Sequence, residues 1–160
     1  MTVEVRVANR VDMPRILALV QELADYEKLE GPDAAAQARL VDDAFGTGRI
    51  QVWAADEGGD LVGYAITFEA YSSFRAKPIL YLEDLYVTPA RRKDGLGTAL
   101  LAHLAAEATR RGCARMAWTA LDWNTPARDF YENLGATSGW VHYNLEGEAL
   151  DDLAARARKE

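Results

Sequence analysis

A single cysteine, Cys113, stands in this chain of 160 residues, which excludes an intrachain disulfide and a cysteine-rich metal site. The chain also has only two histidines, His103 and His142, and they lie too far apart in sequence to have the spacing of zinc ligands. We therefore expect no bound metal. A lone thiol suits a reducing compartment, so the sequence predicts a cytoplasmic protein.

Apolar runs long enough to cross a membrane are missing, since the longest clean stretches have only the length of a strand. The first residues, Met1 to Arg6, have neither the basic start nor the apolar stretch of a secretory signal. The sequence therefore predicts no membrane partner.

Positive charge is scarce, because 18 Lys and Arg stand against 25 Asp and Glu, a formal net charge of −7. A protein that binds a phosphate backbone needs a basic face, so we expect no nucleic acid. A small cationic molecule is a more natural partner. For acidic residues on exposed helices, solubility is the simpler interpretation.

The chain does contain a regular alternation of strands and helices around an early hairpin at residues 57–60. The pattern predicts one α/β domain over residues 1–160 with a mixed sheet, since neither repeats nor linkers interrupt it. Asp12 and Thr125 are the expected N-caps of the first and fourth helices. The predicted strands are 2–7, 50–56, 61–69, 79–87, 114–120 and 141–145, and the predicted helices follow Asp12 and then cover 34–45, 96–111, 125–134 and 148–156.

A short basic segment with two glycines, residues 92–98, lies between the fourth strand and the third helix. Glycine lets the backbone approach a phosphate, and the first amides of a helix have no intrahelical acceptor. The amides of Gly95, Leu96, Gly97 and Thr98 can therefore converge on an anion such as a pyrophosphate. Arg91, Arg92 and Lys93 add positive charge next to Asp94. Two glycines before a helix are a weak signal by themselves.

The spacing Arg-x-x-Gly-x-Gly at 92–97, preceded by Leu82-Glu83-Asp84, resembles the cofactor signature of the GNAT acetyltransferases. Within that superfamily the chain is similar to the diamine acetyltransferases, which include the spermidine/spermine and thialysine enzymes. Further segments match in the same order: Tyr26-Glu27, 43–46, 81–87, Asn124 and Phe130-Tyr131. The resemblance implies acetyl-CoA as cosubstrate, a homodimer, and a GNAT fold. That fold has a mostly antiparallel mixed sheet, whose fourth and fifth strands splay apart, flanked by helices.

The resemblance also implies a chemistry for Glu83. A primary amine has a pKa of about 10 and is protonated at neutral pH, so a base must act before the nitrogen attacks a thioester. The matching glutamate is the general base of the family, and partial burial would make Glu83 a better one. A period of two puts Glu83 on the face of Tyr81 and Leu85, with Asp84 on the other face unless a bulge intervenes. A structural role is the simpler interpretation of Asp84.

Other roles are carried over by position. Strand residues Leu85, Tyr86 and Val87 are expected to hold the pantetheine arm, and the Val87 amide to polarise the acetyl carbonyl. Tyr131 is expected to protonate the departing thiolate, although a core aromatic next to Phe130 is the default interpretation.

The same resemblance gives Asn124 a contact with the cofactor, for which helix capping is an equal explanation. Tyr26 and Glu27 match residues that touch the amine.

The predicted function is direct transfer of acetyl from acetyl-CoA to a small primary amine in a ternary complex. Residues 136–138 replace a longer acidic stretch of the animal enzymes, and Phe74 stands where tryptophan is expected, so a diamine, a polyamine and a lysine analogue all stay open. An acetyltransferase for an aminoglycoside or a protein amine is an alternative. A CoA-binding sensor without turnover is another.

Overall fold

A five-stranded sheet in the order β1-β2-β3-β4-β5 organises the first part of the chain. The computed structural model describes residues 2–157, and these divide into two units, one that ends at Trp118 and one that begins at Thr119. The first four strands pair antiparallel and β5 pairs parallel to β4. In the first unit the elements are β1 Val3–Val7, α1 Met13–Glu27, α2 Ala34–Phe45, β2 Gln51–Glu57, β3 Asp60–Ser72, β4 Lys77–Val87, α3 Leu96–Arg110 and β5 Arg115–Ala117.

Helices cover both faces of this sheet, which confirms the predicted mixed, mostly antiparallel α/β architecture. On one face Ile16 and Leu19 of α1, fully buried, pack with Tyr64 and Ile66 of β3, and α2 adds partly buried residues at the margin. On the other face Leu100 of α3 packs with strand residues of β2, β3 and β4. Burial of these apolar stripes from both sides stabilises the sheet.

Asp12 is the N-cap residue of α1, as predicted, but it does not act as a simple side-chain cap. Residues 10–12 form a 3-10 turn, and Asp12 does not cap α1 with its side chain. Its carboxylate instead accepts hydrogen bonds from the Asn9 N–H and from the Arg6 guanidinium, which also binds Asp56. Those bonds, the Arg6 bonds first, hold the pKa of Asp12 below its usual value. A buried ion pair therefore outcompetes simple capping here.

Two irregularities of β4 matter for function. The pairing of β4 with β5 covers only Ile79 to Tyr81, so β5 is shorter than the predicted strand 114–120 and the rest of β4 extends past it. The pairing of β4 with β3 contains a bulge: Thr67 lies opposite Leu82 and Ile66 opposite Asp84, so Glu83 is the extra residue.

The second unit contains two helices, α4 Thr125–Asn133 and α5 Gly147–Ala154. The cap of α4 is Asn124, whose side-chain oxygen accepts from the Ala127 N–H at 3.4 Å, so the prediction of Thr125 as cap was wrong by one residue.

The predicted strand 141–145 was also wrong. Residues 136–146 carry no regular secondary structure, because an alternating sequence becomes a strand only where another strand supplies hydrogen-bond partners. Across residues 2–157, none of the helices is both long and apolar enough to span a membrane.

Candidate active site

The part of β4 beyond β5 exposes main-chain groups in a regular order. The Thr88 N–H donates to the Val62 carbonyl, which continues the β3–β4 register by one pair. Because hydrogen-bonded and non-hydrogen-bonded pairs alternate in an antiparallel ladder, the next pair, Gly63 with Val87, is not hydrogen-bonded. The N–H and C=O groups of Val87 and Leu85 therefore point away from β3, toward the side that β5 leaves uncovered. Such an edge can pair with an extended ligand arm.

Tyr86 has the opposite placement. Its main-chain groups face β3, and its side chain is buried on the α1 face, where the hydroxyl donates to Glu22 Oε1 at 3.0 Å. Burial and the Glu22 contact raise the pKa of Tyr86. Leu85 and Val87 therefore have main-chain groups on the edge that β5 does not pair, whereas Tyr86 packs in the core.

The start of α3, which we call the cradle, has the main-chain features of an anion-binding site. Gly95 has a positive φ of 78°, and a Cβ placed on it would meet nothing within 4 Å, so the space before the helix is open. The Ala99 N–H is the first to bond back, to the Gly95 carbonyl, which leaves the amides of Leu96, Gly97 and Thr98 without an intrahelical acceptor. No side chain among the described residues caps this end. The positive end of the helix dipole points into the same space.

The three basic residues before the cradle have different surroundings. Arg91 pairs with Glu57 and with Asp94, at 2.7 Å from the latter, and so ties the 3-10 turn of residues 89–94 to β2. Arg92 donates from Nε to the Val87 carbonyl at 3.0 Å. Arg91 is therefore a structural residue, whereas Arg92 and Lys93 are both exposed.

The bulge at Glu83 changes the faces of the following residues. Leu82 lies opposite Thr67, whose hydroxyl accepts from Trp53 Nε1 on the α3 side, while Asp84 accepts from the hydroxyl of Tyr64 on the α1 side. Leu85 packs on the α3 side again. The exception that the sequence analysis named, a bulge before Asp84, is therefore present, and simple alternation does not hold across Glu83.

An acidic cluster results on the α1 side, formed by Glu27, Glu83 and Asp84. Burial raises the pKa of Glu27, and the charge of Glu83 raises it further. Burial also raises the pKa of Asp84 to about 6, with contributions from Glu83 and Glu27, while the hydrogen bond from Tyr64 opposes the shift. Glu83 itself is exposed. The partial burial that was expected for Glu83 is found at Asp84 instead. Three carboxyl groups that repel one another attract a cation.

Sequence reasoning missed Tyr64. It is fully buried, and its hydroxyl lies 2.9 Å from Asp84 Oδ2. The available signal was weak: a tyrosine in an apolar strand is most often a core residue, and only the register of β3 against β4 shows that its hydroxyl reaches a carboxylate.

The second unit holds the two remaining predicted site residues. The Tyr131 ring lies 5.5 Å from that of Phe130, and Tyr131 is half-buried on α4. Asn124, 6% exposed, caps the same helix. The structure therefore gives Asn124 a structural task, and it presents Tyr131 next to Phe130 as the sequence suggests.

Comparison with known proteins decides the family. Residues 16–136 match the model of the Acetyltransferase (GNAT) family. The chain belongs to this family. It is therefore an acetyl-CoA-dependent N-acetyltransferase, as the sequence analysis predicted.

Individual relatives agree with this family. The chain is 34% identical to the thialysine N-epsilon-acetyltransferase of Bos taurus over 96% of its own length and 98% of that protein. It is 37% identical to the L-ornithine N5-acetyltransferase NATA1 of Arabidopsis thaliana, over 61% of this chain and 45% of that one. An integron cassette protein from the mobile metagenome of V. cholerae has a similar structure, with a TM-score of 0.79, 28% identity, and coverage of 96% and 98%.

The residues present fit the cosubstrate of this GNAT enzyme. Acetyl-CoA offers a pyrophosphate and an extended pantetheine arm. The cradle at Gly95 has the open space and the outward amides that a pyrophosphate needs. The edge of β4 that β5 does not pair has the main-chain groups of Leu85 and the Val87 N–H for the arm, while the Val87 carbonyl accepts from Arg92 Nε. Among residues 2–157, no group of three or more His, Cys, Asp or Glu side chains could hold a metal.

The raised pKa of Asp84 leads to a prediction about stability. The native pKa of about 6 exceeds the ordinary value of 3.8, so the native state holds its proton more tightly and the enzyme loses stability as the pH rises through 6. Asp84→Asn should therefore stabilise the enzyme at pH 8 by about 1–2 kcal/mol, discounted from the full shift for solvent screening. At pH 5, between the two pKa values, the gain should be about half as large. Thermal unfolding at both pH values measures it.

Two further variants sharpen this comparison. Tyr64→Phe removes the hydrogen bond that favours the carboxylate, so it should lower stability at pH 8 more than at pH 5. Asp42→Asn makes the same chemical change at an exposed position of α2 and should show no pH-dependent gain. A gain for Asp84→Asn that is as large at pH 5 as at pH 8 would contradict the assignment of the raised pKa to Asp84.

Proposed function

We propose that this enzyme acetylates the primary amine of a small cationic molecule, and that Glu83 is its general base. The observation that carries the proposal is the bulge in β4, which brings Glu83 and Asp84 to the side of Glu27, two residues before the open main-chain edge at Leu85. A cationic amine attracted by the carboxyl groups would thus lie next to the strand that holds the acetyl-bearing arm.

The proposed reaction is direct transfer in a ternary complex. Glu83, through a water molecule, takes a proton from the ammonium group, and the nitrogen then attacks the thioester carbonyl. The N–H of Val87 donates to the oxygen that becomes negative in the tetrahedral intermediate. Collapse breaks the carbon–sulfur bond and releases the thiolate of CoA, which Tyr131 protonates. The nitrogen loses its second proton, which returns through solvent to Tyr131, and Glu83 gives its own proton to solvent. A phenol and a thiol have comparable pKa values, about 10 and 8.5, so the transfer to the thiolate is nearly balanced.

Two parts of the cofactor, the pyrophosphate and the pantetheine arm, are held in this proposal. The amides of Gly95, Leu96, Gly97 and Thr98 bind the pyrophosphate, with charge from Lys93 and Arg92. Leu85 and Val87 bind the pantetheine arm. Asp94 keeps Arg91 in place and so shapes the turn. Asn124, which caps α4, is a further proposed contact of the cofactor.

A basic amino acid or lysine analogue is our preferred substrate within the class of small amines. The relatives named above act on thialysine and on L-ornithine, as their names state, and both names specify a side-chain nitrogen. Tyr26 and Glu27 at the end of α1 are the proposed contacts of the amine. A diamine has the same terminal group and is the nearest competitor.

A thiol-release assay with an amine panel tests this proposal. The panel contains lysine, thialysine, ornithine, putrescine, spermidine, an aminoglycoside and a peptide with a free N-terminus. The proposal predicts turnover that is greatest with the small side-chain amines. Turnover only with the aminoglycoside or the peptide would move the substrate to those classes. Tight binding of acetyl-CoA without thiol release from any amine would instead indicate a CoA sensor.

Our proposal also includes one acetyltransferase domain over residues 1–160, cytoplasmic and homodimeric. The family match at 16–136 spans both units, which supports a single domain. Trp140, Val141 and Tyr143 are exposed by 74–99% in a segment that lacks regular structure, and a second copy could cover them. Sedimentation velocity of the full chain measures the oligomeric state, and a monomer at micromolar concentration would rule out a stable dimer.

A further inference from the structure

Arg92 belongs to the predicted phosphate-binding segment, yet its guanidinium contacts groups on the amine side of the site. Its Cζ lies 5.0 Å from the ring centroid of Tyr26 and 5.2 Å from that of Tyr86, both within the distance at which a guanidinium attracts an aromatic ring. Its Nε donates to the Val87 carbonyl at 3.0 Å. One side chain therefore contacts α1, β4 and the edge proposed for the pantetheine arm.

The last turns of α1 are attached to β4 at two points. Tyr86 donates its hydroxyl to Glu22, and Glu22 also lies 3.6 Å from Arg15 Nη1. Tyr26 follows Glu22 by four residues, so both project from the same side of the helix. The first attachment holds Glu22 through Tyr86, and the second holds Tyr26 through Arg92. Glu27 of the acidic cluster is the next residue along the chain.

We propose that Arg92 is a positioning residue of the amine site. It holds Tyr26, and with it the end of α1 that carries Glu27, against β4. This inference rests on the proposed function and adds to it, because a phosphate contact alone would affect only acetyl-CoA. Arg91, the neighbouring arginine, contacts Glu57 and Asp94 instead and has no comparable link to α1.

Arg92→Lys is the decisive variant, because lysine keeps the positive charge but loses the planar fork and the Nε donor. The dissociation constant of acetyl-CoA, measured by calorimetry, should stay within about threefold of the wild-type value. The KM for the amine should rise roughly tenfold, which corresponds to the loss of one hydrogen bond and the weakening of two ring contacts, while kcat changes little. Arg91→Lys is the matched control and should leave the amine KM unchanged.

A double-mutant cycle with Tyr26→Leu tests the route through Tyr26. If Arg92 acts by holding Tyr26, the double variant should have nearly the same amine KM as Tyr26→Leu alone. The inference is overturned if the two effects add fully, or if Arg92→Lys weakens only acetyl-CoA binding.

Hydrogen exchange provides a readout that needs no activity. Peptides that cover residues 22–30 should exchange several-fold faster in Arg92→Lys than in the wild type and in Arg91→Lys, because the end of α1 opens more often. If the wild type acetylates amines but the variant changes neither exchange nor KM, this inference fails and the proposed function stands. If no amine is acetylated but exchange does increase, the proposed function fails and the Arg92 link stands.

Discussion

Replacing Glu83 by glutamine should lower kcat for amine acetylation at pH 7 by about a hundredfold or more, the contribution expected of a general base. Glutamine has nearly the same shape, but it cannot accept the proton that an ammonium group must lose. Since Glu83 is the exposed residue of a bulge and opposes no residue of β3, the substitution should leave the fold and the binding of acetyl-CoA intact. Steady-state kinetics and calorimetry measure the two effects.

The loss of kcat in Glu83→Gln should also depend on pH. An amine with a pKa of about 10 is increasingly neutral in solution as the pH rises, so the need for a base decreases. The ratio of wild-type to variant kcat should therefore shrink between pH 7 and pH 9.5. Glu4→Gln, the same change at an exposed position of β1, should alter kcat by less than about twofold. An unchanged kcat with a raised amine KM would show instead that Glu83 only attracts the cation.

Much of the secondary structure around Glu83 could be predicted, because it depends on residues that are close together in the sequence. Asp33, Gly46 and the apolar period between them fixed α2 at Ala34–Phe45, and Asp33 does accept from the Ala36 N–H. The hairpin turn at 57–60 and the long apolar run of β4 were equally clear. Each of these features is determined by residues a few positions apart.

The missed features depend on residues that are distant in sequence. The bulge at Glu83 is set by the register of β4 against β3, and the Tyr64 hydroxyl reaches Asp84 across 20 residues. The placement of Arg92 next to Tyr26 joins segments 66 residues apart. A motif identified Arg92 and Glu83 as important, but only the tertiary contacts show which neighbour each of them has. The predicted strand 141–145 failed for the same reason, because its alternating pattern says nothing about a partner strand.

Replacing Gly95 by alanine should weaken acetyl-CoA binding by about tenfold to a few hundredfold. Gly95 has a φ of 78°, a conformation that costs a residue with a Cβ about 1–2 kcal/mol. The new Cβ would meet no atom within 4 Å, and we expect it to occupy part of the space before the amides of α3, where we place the pyrophosphate. Loss of one charge-assisted hydrogen bond, worth about 1.5–3 kcal/mol, gives an effect of this size. Calorimetry with CoA measures the affinity, and thermal unfolding measures the strain.

Two further variants, Gly112→Ala and Gly95→Asn, distinguish backbone strain from obstruction of the cradle. Gly112 ends α3 with a φ of 72° and open space at its Cβ, so Gly112→Ala should lose as much stability as Gly95→Ala yet keep CoA affinity within about twofold. Gly95→Asn should be more stable than Gly95→Ala, because asparagine tolerates positive φ, but its longer side chain fills the cradle and should bind CoA at least as poorly. The two readouts should thus rank the Gly95 variants in opposite orders. If affinity instead recovers with stability in Gly95→Asn, strain explains the loss and the cradle does not bind the pyrophosphate.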